Sequence, residues 1–167
     1  MKALTSLLAL VSCAVLTSAA ELNTLTAAER KDGWKLLFDG KSLAGWRTYK
    51  EGGKIGAGWI VEDGLLKKQA KISGGDMMTE QPISGDWELS WELRIAEKGN
   101  NGLKYFITEA RKSAVGHEYQ MLDDDGHPDG KVGAHRQTAA FYDVLPPAKD
   151  KPTKPVGEWN HSRVVVK

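Results

Sequence analysis

Apolar and polar residues alternate with a period of two along much of this chain. In Trp87–Ile95 every odd-numbered residue is apolar and every even-numbered residue is polar. Because successive side chains of a strand face opposite ways, this pattern predicts a half-buried strand of an antiparallel sheet. Trp59–Val61 and Leu65–Lys67 flank Glu62–Gly64, which predicts a hairpin whose glycine adopts a positive φ.

Further short apolar runs are separated by clusters of Gly, Pro and Asp. These runs are Leu36–Phe38, Lys104–Ile107, Ala139–Tyr142 and Arg163–Val166. After the N-terminal segment the sequence offers one helix pattern, Leu25–Arg30, with Thr26 placed to cap it and Glu29 three residues on. Many short strands with almost no helix predict an all-β protein, either a β-sandwich or a jelly roll.

The length and the charge of the chain favour a single domain that does not bind nucleic acid. The chain has 167 residues, and 23 Lys and Arg balance 22 Asp and Glu. One hydrophobic core is the usual outcome at this length. The charge balance lacks the basic excess that draws proteins to phosphate backbones or anionic lipid, so nucleic acid is not an expected partner.

Residues 1–20 have the pattern of a secretory signal peptide. A positive start is followed by an apolar run that ends at Leu16 and by small residues up to Ala20. The run is too short for a membrane span, so we expect cleavage after Ala20 and a secreted or periplasmic protein. The alternative is a lipoprotein signal with Cys13 lipidated. Cys13 is the single cysteine, so a chain cleaved after Ala20 has no disulfide.

The segment 116–130 concentrates more potential chemistry than any other part of the sequence. It carries two His, five carboxylates and a Gln. If residues 117–122 form a strand, Glu118 and Gln120 lie on one face, roughly 6 to 7 Å apart. Tyr119 and Met121 then lie on the other. The first face is a candidate site, and the second is a candidate core face.

Six ordered segments resemble the 3-keto-disaccharide hydrolase family. They are Leu37–Trp46, the Trp59–Leu65 hairpin, Gly99–Gly102, His117–Asp123, Ala139–Asp143 and Gly157–Asn160. The resemblance implies a concanavalin-like jelly-roll β-sandwich, secreted by glycan-degrading bacteria, with a sugar site on its concave sheet. It also implies action on glycosides oxidised at C3 of the sugar ring.

The resemblance divides the chain into a signal peptide (1–20), an N-terminal extension (21–33) and the sandwich domain (34–167). The closing region of the family, with its Asn-Gly hairpin and Gly-rich final strand, has no counterpart here. We therefore expect a domain that is truncated at its C-terminus.

A C3 ketone changes what glycoside cleavage requires. Ordinary glycosidases use two carboxylates, whereas the Glu118/Gln120 pair offers one. The ketone acidifies the neighbouring C2–H, so a base can remove that proton and expel the C1 substituent, and water can then add back. Such a site needs a base, an acid for the leaving oxygen and stabilisation of the enolate. We assign Glu118 as catalytic base or acid and Gln120 as a ligand of a sugar hydroxyl; the alternative for Glu118 is an exposed residue on a sheet face.

Other polar residues are further candidates for the site. His135 is a candidate catalytic group, and Arg136 and Tyr142 are candidate sugar ligands, because loops on a rigid sheet often carry binding residues. Asn101 is a candidate sugar ligand too, with service in a tight turn as the alternative. His117 precedes Glu118 in the strand, so it is expected to face the interior as a core histidine, with a catalytic role as the alternative.

Asp123, Asp125 and His127, together with Asp129, are candidate ligands for a divalent metal ion that would polarise the ketone. The acidic spacing resembles a calcium loop, but the later Glu of such a loop is missing. A plain solvated turn is the alternative. No organic cofactor is expected.

Three functions therefore follow from the sequence. The first is cleavage of 3-keto-glycosides by proton abstraction at C2, with an oxidised carbohydrate as the partner. The second is a non-catalytic, lectin-like carbohydrate-binding module on the same scaffold, since a fold does not fix its chemistry. The third is a conventional β-glucanase, which a pair of catalytic carboxylates would favour.

Overall fold

The computed structural model describes residues 22–50 and 54–167, and it is built mostly of short strands. The predicted signal peptide and Cys13 lie outside the described residues. The strands are β1 (Trp46–Thr48), β2 (Trp59–Glu62), β3 (Leu65–Lys68), β4 (Met77–Thr79), β5 (Trp87–Leu93), β6 (Asn100–Tyr105), β7 (His117–Leu122) and β8 (Asn160–Val166). The all-β prediction is confirmed at this level. None of the helices in the described ranges has the length and apolarity needed to cross a membrane.

The predicted helix is present as α1 (Ala27–Lys31). Thr26 caps it by accepting a hydrogen bond of 3.2 Å from the backbone N–H of Glu29, and the Glu29 carboxylate accepts one of 2.7 Å from the N–H of Thr26. This reciprocal pair satisfies two N–H groups that have no partner within the helix. The sequence pattern therefore located both the helix and its cap.

The described strands pair two by two, always antiparallel: β1 with β4, β2 with β3, β5 with β8, and β6 with β7. The predicted β2–β3 hairpin is confirmed. Its turn has positive φ at both Asp63 (53°) and Gly64 (76°), which is the backbone twist that a two-residue hairpin loop requires.

Aromatic side chains pack the β5–β8 pair against the β6–β7 pair. The ring centroids of Trp87 and Tyr105 are 5.7 Å apart, and those of Trp91 and Tyr119 are 5.1 Å apart, both edge to face. The Tyr119 hydroxyl also lies 2.8 Å from Oγ of Ser162 on β8. The predicted core face of Trp87–Ile95 thus covers the odd-numbered face of β6 and β7, and the even-numbered face points away from this layer.

Residues 138–142 cover the other edge of β7. The N–H of Gln120 donates to the carbonyl of Ala140 (3.1 Å), and the N–H of Tyr142 donates to the carbonyl of Glu118 (3.0 Å). At the end of β7 the hydrogen-bond partner is a side chain and not a backbone group: the Thr138 hydroxyl binds both the N–H and the carbonyl of Leu122. β7 is therefore hydrogen-bonded along both edges.

Several local predictions are wrong. Leu36–Phe38 forms no strand, and Ala139–Tyr142 contributes only isolated bridges of Phe141, one to Tyr119 and one to Leu145. The run Lys104–Ile107 is shifted: β6 starts at Asn100 and ends before Phe106, whose φ of 56° breaks the strand.

His117 is not a core residue, because it is exposed at the start of β7. Its ring packs edge to face against those of Tyr105, Phe106 and Phe141, with centroids 4.9 to 5.4 Å away. The alternation of strand side chains holds at this position, but the end of the strand is open to solvent.

Candidate active site

Glu118 occupies the middle of a three-strand face. On one side β6 places Lys104 directly opposite Glu118. On the other side the antiparallel bridge between Tyr119 and Phe141, with the Tyr142 N–H bound to the Glu118 carbonyl, brings Tyr142 into register with Glu118. Residues in direct register across antiparallel strands project to the same face. A carboxylate is thus flanked by a cation and a phenol.

The Glu118 side chain is half-buried, and its environment disfavours the charged form. Burial raises the pKa of Glu118, and the carboxylates of Asp76 and Asp129 raise it further, while the Lys104 ammonium opposes them. None of the ion pairs among the described residues joins Lys104 to Glu118. A carboxylate whose pKa is raised towards neutrality is better suited to accept a proton from carbon and to return it than an ordinary surface Glu.

Gln120 shares this face with Glu118, as predicted, but it is only 1% exposed. Its Oε1 accepts a hydrogen bond of 3.1 Å from the N–H of Met121. In this structure the amide therefore lies beneath the surface, whereas the predicted contact with a sugar hydroxyl needs it at the surface.

Asn101 lies outside the site. It faces Met121 in the β6–β7 register, and this odd-numbered row lies on the side of the sheet away from Glu118. Its Oδ1 accepts a hydrogen bond of 2.8 Å from the N–H of Gly102. Asn101 therefore does not share the face of Glu118, and its role as a sugar ligand stays a prediction. The alternative of a turn is wrong, because Asn101 lies within β6.

A network of charged and polar side chains lies beside Glu118. Arg136 donates from Nη1 to Asp129 (2.8 Å) and from Nε and Nη2 to the two carboxylate oxygens of Asp143 (2.7 and 2.8 Å). The Tyr142 hydroxyl donates to the other Asp129 oxygen (2.8 Å), and the guanidinium lies 5.4 Å from the centre of the Tyr142 ring. Arg136 therefore holds Tyr142 and Asp129 in place and has three of its hydrogen-bond donors committed to carboxylates.

The network fixes the charge states of its members. Burial opposes ionisation of Asp129, but the hydrogen bonds from Arg136 and Tyr142 outweigh it and hold the pKa of Asp129 below its usual value. The same bond to Asp129, together with burial, raises the pKa of Tyr142. Tyr142 is thus a neutral phenol next to an ionised carboxylate at neutral pH.

His135, the predicted catalytic histidine, is part of the outer side of this network. Its Nε2 lies 3.4 Å from Oδ1 of Asp143, and its side chain is half-exposed. Among the described residues no hydrogen bond or ion pair connects it to Glu118. Tyr142 is in register with Glu118 and lies against Arg136, and His135 contacts this network through Asp143.

The predicted metal ligands do not converge in this structure. The Asp123 carboxylate accepts backbone N–H bonds from Lys98 (2.7 Å) and Gly126 (2.8 Å), Nδ1 of His127 accepts one from Asp129 (3.1 Å), and Asp125 is exposed. Residues 22–50 and 54–167 contain no group of three His, Cys, Asp or Glu side chains that could hold a metal ion. In this arrangement Asp123 and His127 bind backbone N–H groups, and Asp123 is too buried for the solvated turn that was the alternative.

Three residues of the site were missed or misassigned by sequence reasoning. Lys104 and Gly102 belong to the site only because of their register with β7, and this register cannot be predicted from the sequence of either strand alone. Asp129 lies in the chemically rich segment, but its partners, Arg136 and Tyr142, follow seven and thirteen residues later. The spacing of polar residues within one strand predicts a shared face, whereas contacts between segments depend on how the chain folds back.

The fold and this face define an all-β protein with a half-buried carboxylate on one sheet surface. The chain belongs to the family whose model is described as a 3-keto-alpha-glucoside-1,2-lyase-like domain, and that model matches residues 33–167. The predicted resemblance is thereby confirmed.

Two relatives show how much of such proteins this chain spans. It is 34% identical over 169 residues to the 3-keto-disaccharide hydrolase of Bacteroides thetaiotaomicron, covering 89% of this chain and 57% of the relative. A solved structure from Parabacteroides distasonis, described as a candidate glycosyl hydrolase, matches with a TM-score of 0.75 and 32% identity, over 88% of this chain and 70% of that one. The chain thus spans less than two thirds of the curated relative.

Proposed function

We propose that the full-length protein cleaves glycosides that carry a ketone at C3 of the sugar ring. Family membership supports the substrate class. The observation that carries the proposal is the half-buried Glu118 carboxylate with a raised pKa, set between Lys104 and Tyr142 on one sheet face. This arrangement favours proton transfer by a single carboxylate over the paired carboxylates of ordinary glycosidases.

In the proposed reaction Glu118 removes the proton at C2, next to the ketone. The electron pair of the C2–H bond forms an enolate, whose negative charge the Lys104 ammonium is placed to attract. Collapse of the enolate expels the C1 substituent, which takes up a proton from an acid. Glu118, which now carries the C2 proton, can return that proton to the leaving oxygen, while the Tyr142 phenol stays bound to Asp129 beside it. Addition of water to the unsaturated sugar gives net hydrolysis, and release before that step gives a lyase outcome.

We propose a concanavalin-like jelly-roll sandwich for the complete domain. The packing of the β5–β8 pair on the odd-numbered face of β6 and β7 is consistent with two stacked sheets. The even-numbered face with Glu118 is then the sugar-binding surface.

Substrate turnover tests the proposal. The full-length protein should release the leaving group from a chromogenic 3-keto-glucoside and glucose-type products from 3-keto-trehalose, and Glu118→Gln should abolish release. Glu92→Gln is the matched control, because Glu92 is an exposed residue of β5, in the other layer, and its side chain makes no hydrogen bond to another residue that the structure describes. Equal rates with and without a chelator would indicate a metal-independent reaction.

Two other outcomes would favour the rival functions. Turnover of the unoxidised glucoside with no preference for the 3-keto form would identify a conventional glucanase. Binding of the 3-keto sugar by folded protein without any turnover would identify a lectin-like module. Either result would overturn the proposal.

We also propose export of the protein through residues 1–20. Mass spectrometry of the mature protein should find an N-terminus at Glu21. A lipidated Cys13 at the N-terminus would instead establish the lipoprotein alternative, and an intact Met1 would contradict export.

A further inference from the structure

Among the described residues, Gly102 is the one glycine that lies within a strand. Its backbone conformation is one that any residue type can adopt. It lies in the interior of β6, and its φ is not positive. Glycine inside a strand weakens the strand because it costs more conformational entropy and packs no side chain. Such a glycine is expected where another group approaches the backbone closely.

The approaching group is the Glu118 carboxylate. Gly102 faces Gln120 in the register, and Glu118 lies one row away on the same face. A Cβ added at position 102 would lie 2.6 Å from Cδ and 2.9 Å from Cγ of Glu118, and it would overlap Oε1. Those are the three heavy atoms nearest to the added Cβ. The carboxylate thus leans diagonally onto the backbone of β6, into the space that any other side chain would fill.

We propose that Gly102 is a positioning residue for the Glu118 carboxylate. Because Gly102 has no side chain, the Glu118 carboxylate can lie half-buried against β6, between the cross-strand pairs that contain Lys104 and Gln120. This inference rests on the proposed function for its effect on catalysis, but the geometry itself does not depend on that function.

A methyl group at position 102 should displace Glu118 and leave the sheet intact. The overlap involves the end of a flexible side chain, which can rotate away, and no backbone atom is among the nearest contacts. A displaced carboxylate would point into solvent or towards Lys104. Asp76, Asp129 and Lys104 are the charged groups that act on Glu118, so loss of burial and a closer Lys104 both lower the pKa of Glu118.

The first test compares wild type with Gly102→Ala in the full-length protein. We expect a decrease in kcat of about tenfold or more with a smaller change in KM, since a misplacement of about 1 Å can cost about a hundredfold in rate. The acid limb of the pH–rate profile should move to lower pH. Gly126→Ala is the matched control, because its added Cβ would displace another carboxylate, that of Asp123, and it should leave the acid limb unmoved.

A double-mutant cycle tests whether the effect passes through Glu118. Shortening the acid by one methylene in Glu118→Asp withdraws the atoms that meet the new methyl group. The combined loss of rate in Gly102→Ala/Glu118→Asp should therefore be at least about threefold smaller than the product of the two single losses, because residues in contact do not act independently. Losses that simply multiply would overturn the proposal.

A titration separates this inference from the proposed function. The carbon-13 carboxyl resonance of Glu118 should titrate at lower pH in Gly102→Ala than in wild type, whether or not any 3-keto-glycoside is cleaved. An unchanged titration midpoint would overturn the positioning role. If Gly102→Ala fails to fold, Gly102→Ala/Glu118→Ala should restore folding, and failure to restore it would equally overturn the proposal.

Discussion

At the end of β7 the Thr138 hydroxyl makes the hydrogen bonds that a neighbouring strand would otherwise make. Its removal is predicted to destabilise the protein strongly. Thr138 is 6% exposed, and its Oγ1 accepts a hydrogen bond of 2.9 Å from the N–H of Leu122 and donates one of 2.7 Å to its carbonyl. Thr138→Val keeps the shape of the side chain but leaves both backbone groups of Leu122, itself 4% exposed, without a partner.

An unsatisfied buried polar group costs about 1 to 3 kcal/mol, so the loss of two partners should lower the free energy of unfolding by about 2 to 6 kcal/mol. That is a large part of the about 5 to 15 kcal/mol that stabilises a typical protein. At this chain length it corresponds to a decrease in Tm of about 4 to 24 °C.

Denaturant and thermal unfolding of Thr138→Val and Thr138→Ser measure this contribution. The serine variant keeps the hydroxyl and loses one methyl group, which should cost about 1 kcal/mol. Amide hydrogen exchange at Leu122 should accelerate in the valine variant alone. Equal stability of the two variants would contradict this prediction, because it would show that the backbone groups of Leu122 do not depend on the hydroxyl.

Further predictions concern Glu118 and the packing around it. Because burial raises the pKa of Glu118 above 4.5, activity should rise with pH through a midpoint above that value. The midpoint should move up in Lys104→Met, which removes a cation that lowers the pKa, and down in Asp76→Asn, which removes a carboxylate that raises it. The folded state binds this proton more tightly than the unfolded state, so stability should fall as pH rises through the raised pKa, and Glu118→Gln should remove that fall in pH-dependent unfolding experiments. Tyr142→Phe, which removes the bond to Asp129, should cost about 1 kcal/mol in denaturant unfolding. Leu93→Ala, at a position only 7% exposed, should cost about 2 to 5 kcal/mol in the same assay.

The sequence predicted best those features that depend on local periodicity and turn chemistry. The strand 117–122 coincides with β7, the Asp63–Gly64 turn joins β2 and β3, and Thr26 caps α1. In each case the determining residues lie within a few positions of one another. Local patterns therefore sufficed to place Glu118 on a strand face.

The remaining errors come from interactions between distant segments. Ala139–Tyr142 looks like a strand, but positive φ values at Ala139 (66°) and Asp143 (59°) limit it to isolated bridges at Phe141. Alternation predicted that Gln120 shares a face with Glu118, yet it could not predict that Gln120 would be covered. The sequence alone could not show which sheet face Asn101 occupies, because the register between β6 and β7 is set by tertiary pairing.

Deuterium incorporation at C2 is the most direct test of the central claim that Glu118 removes the C2 proton. The full-length protein is incubated with a 3-keto-glucoside in D2O, and the sugar is examined by NMR. With wild type and with Glu92→Gln we expect the original C2–H bond to be lost, giving deuterium at C2 after hydrolysis or a C1–C2 double bond after a lyase reaction, and with Glu118→Gln we expect neither. Release of the leaving group with the original C2–H bond intact would contradict the account.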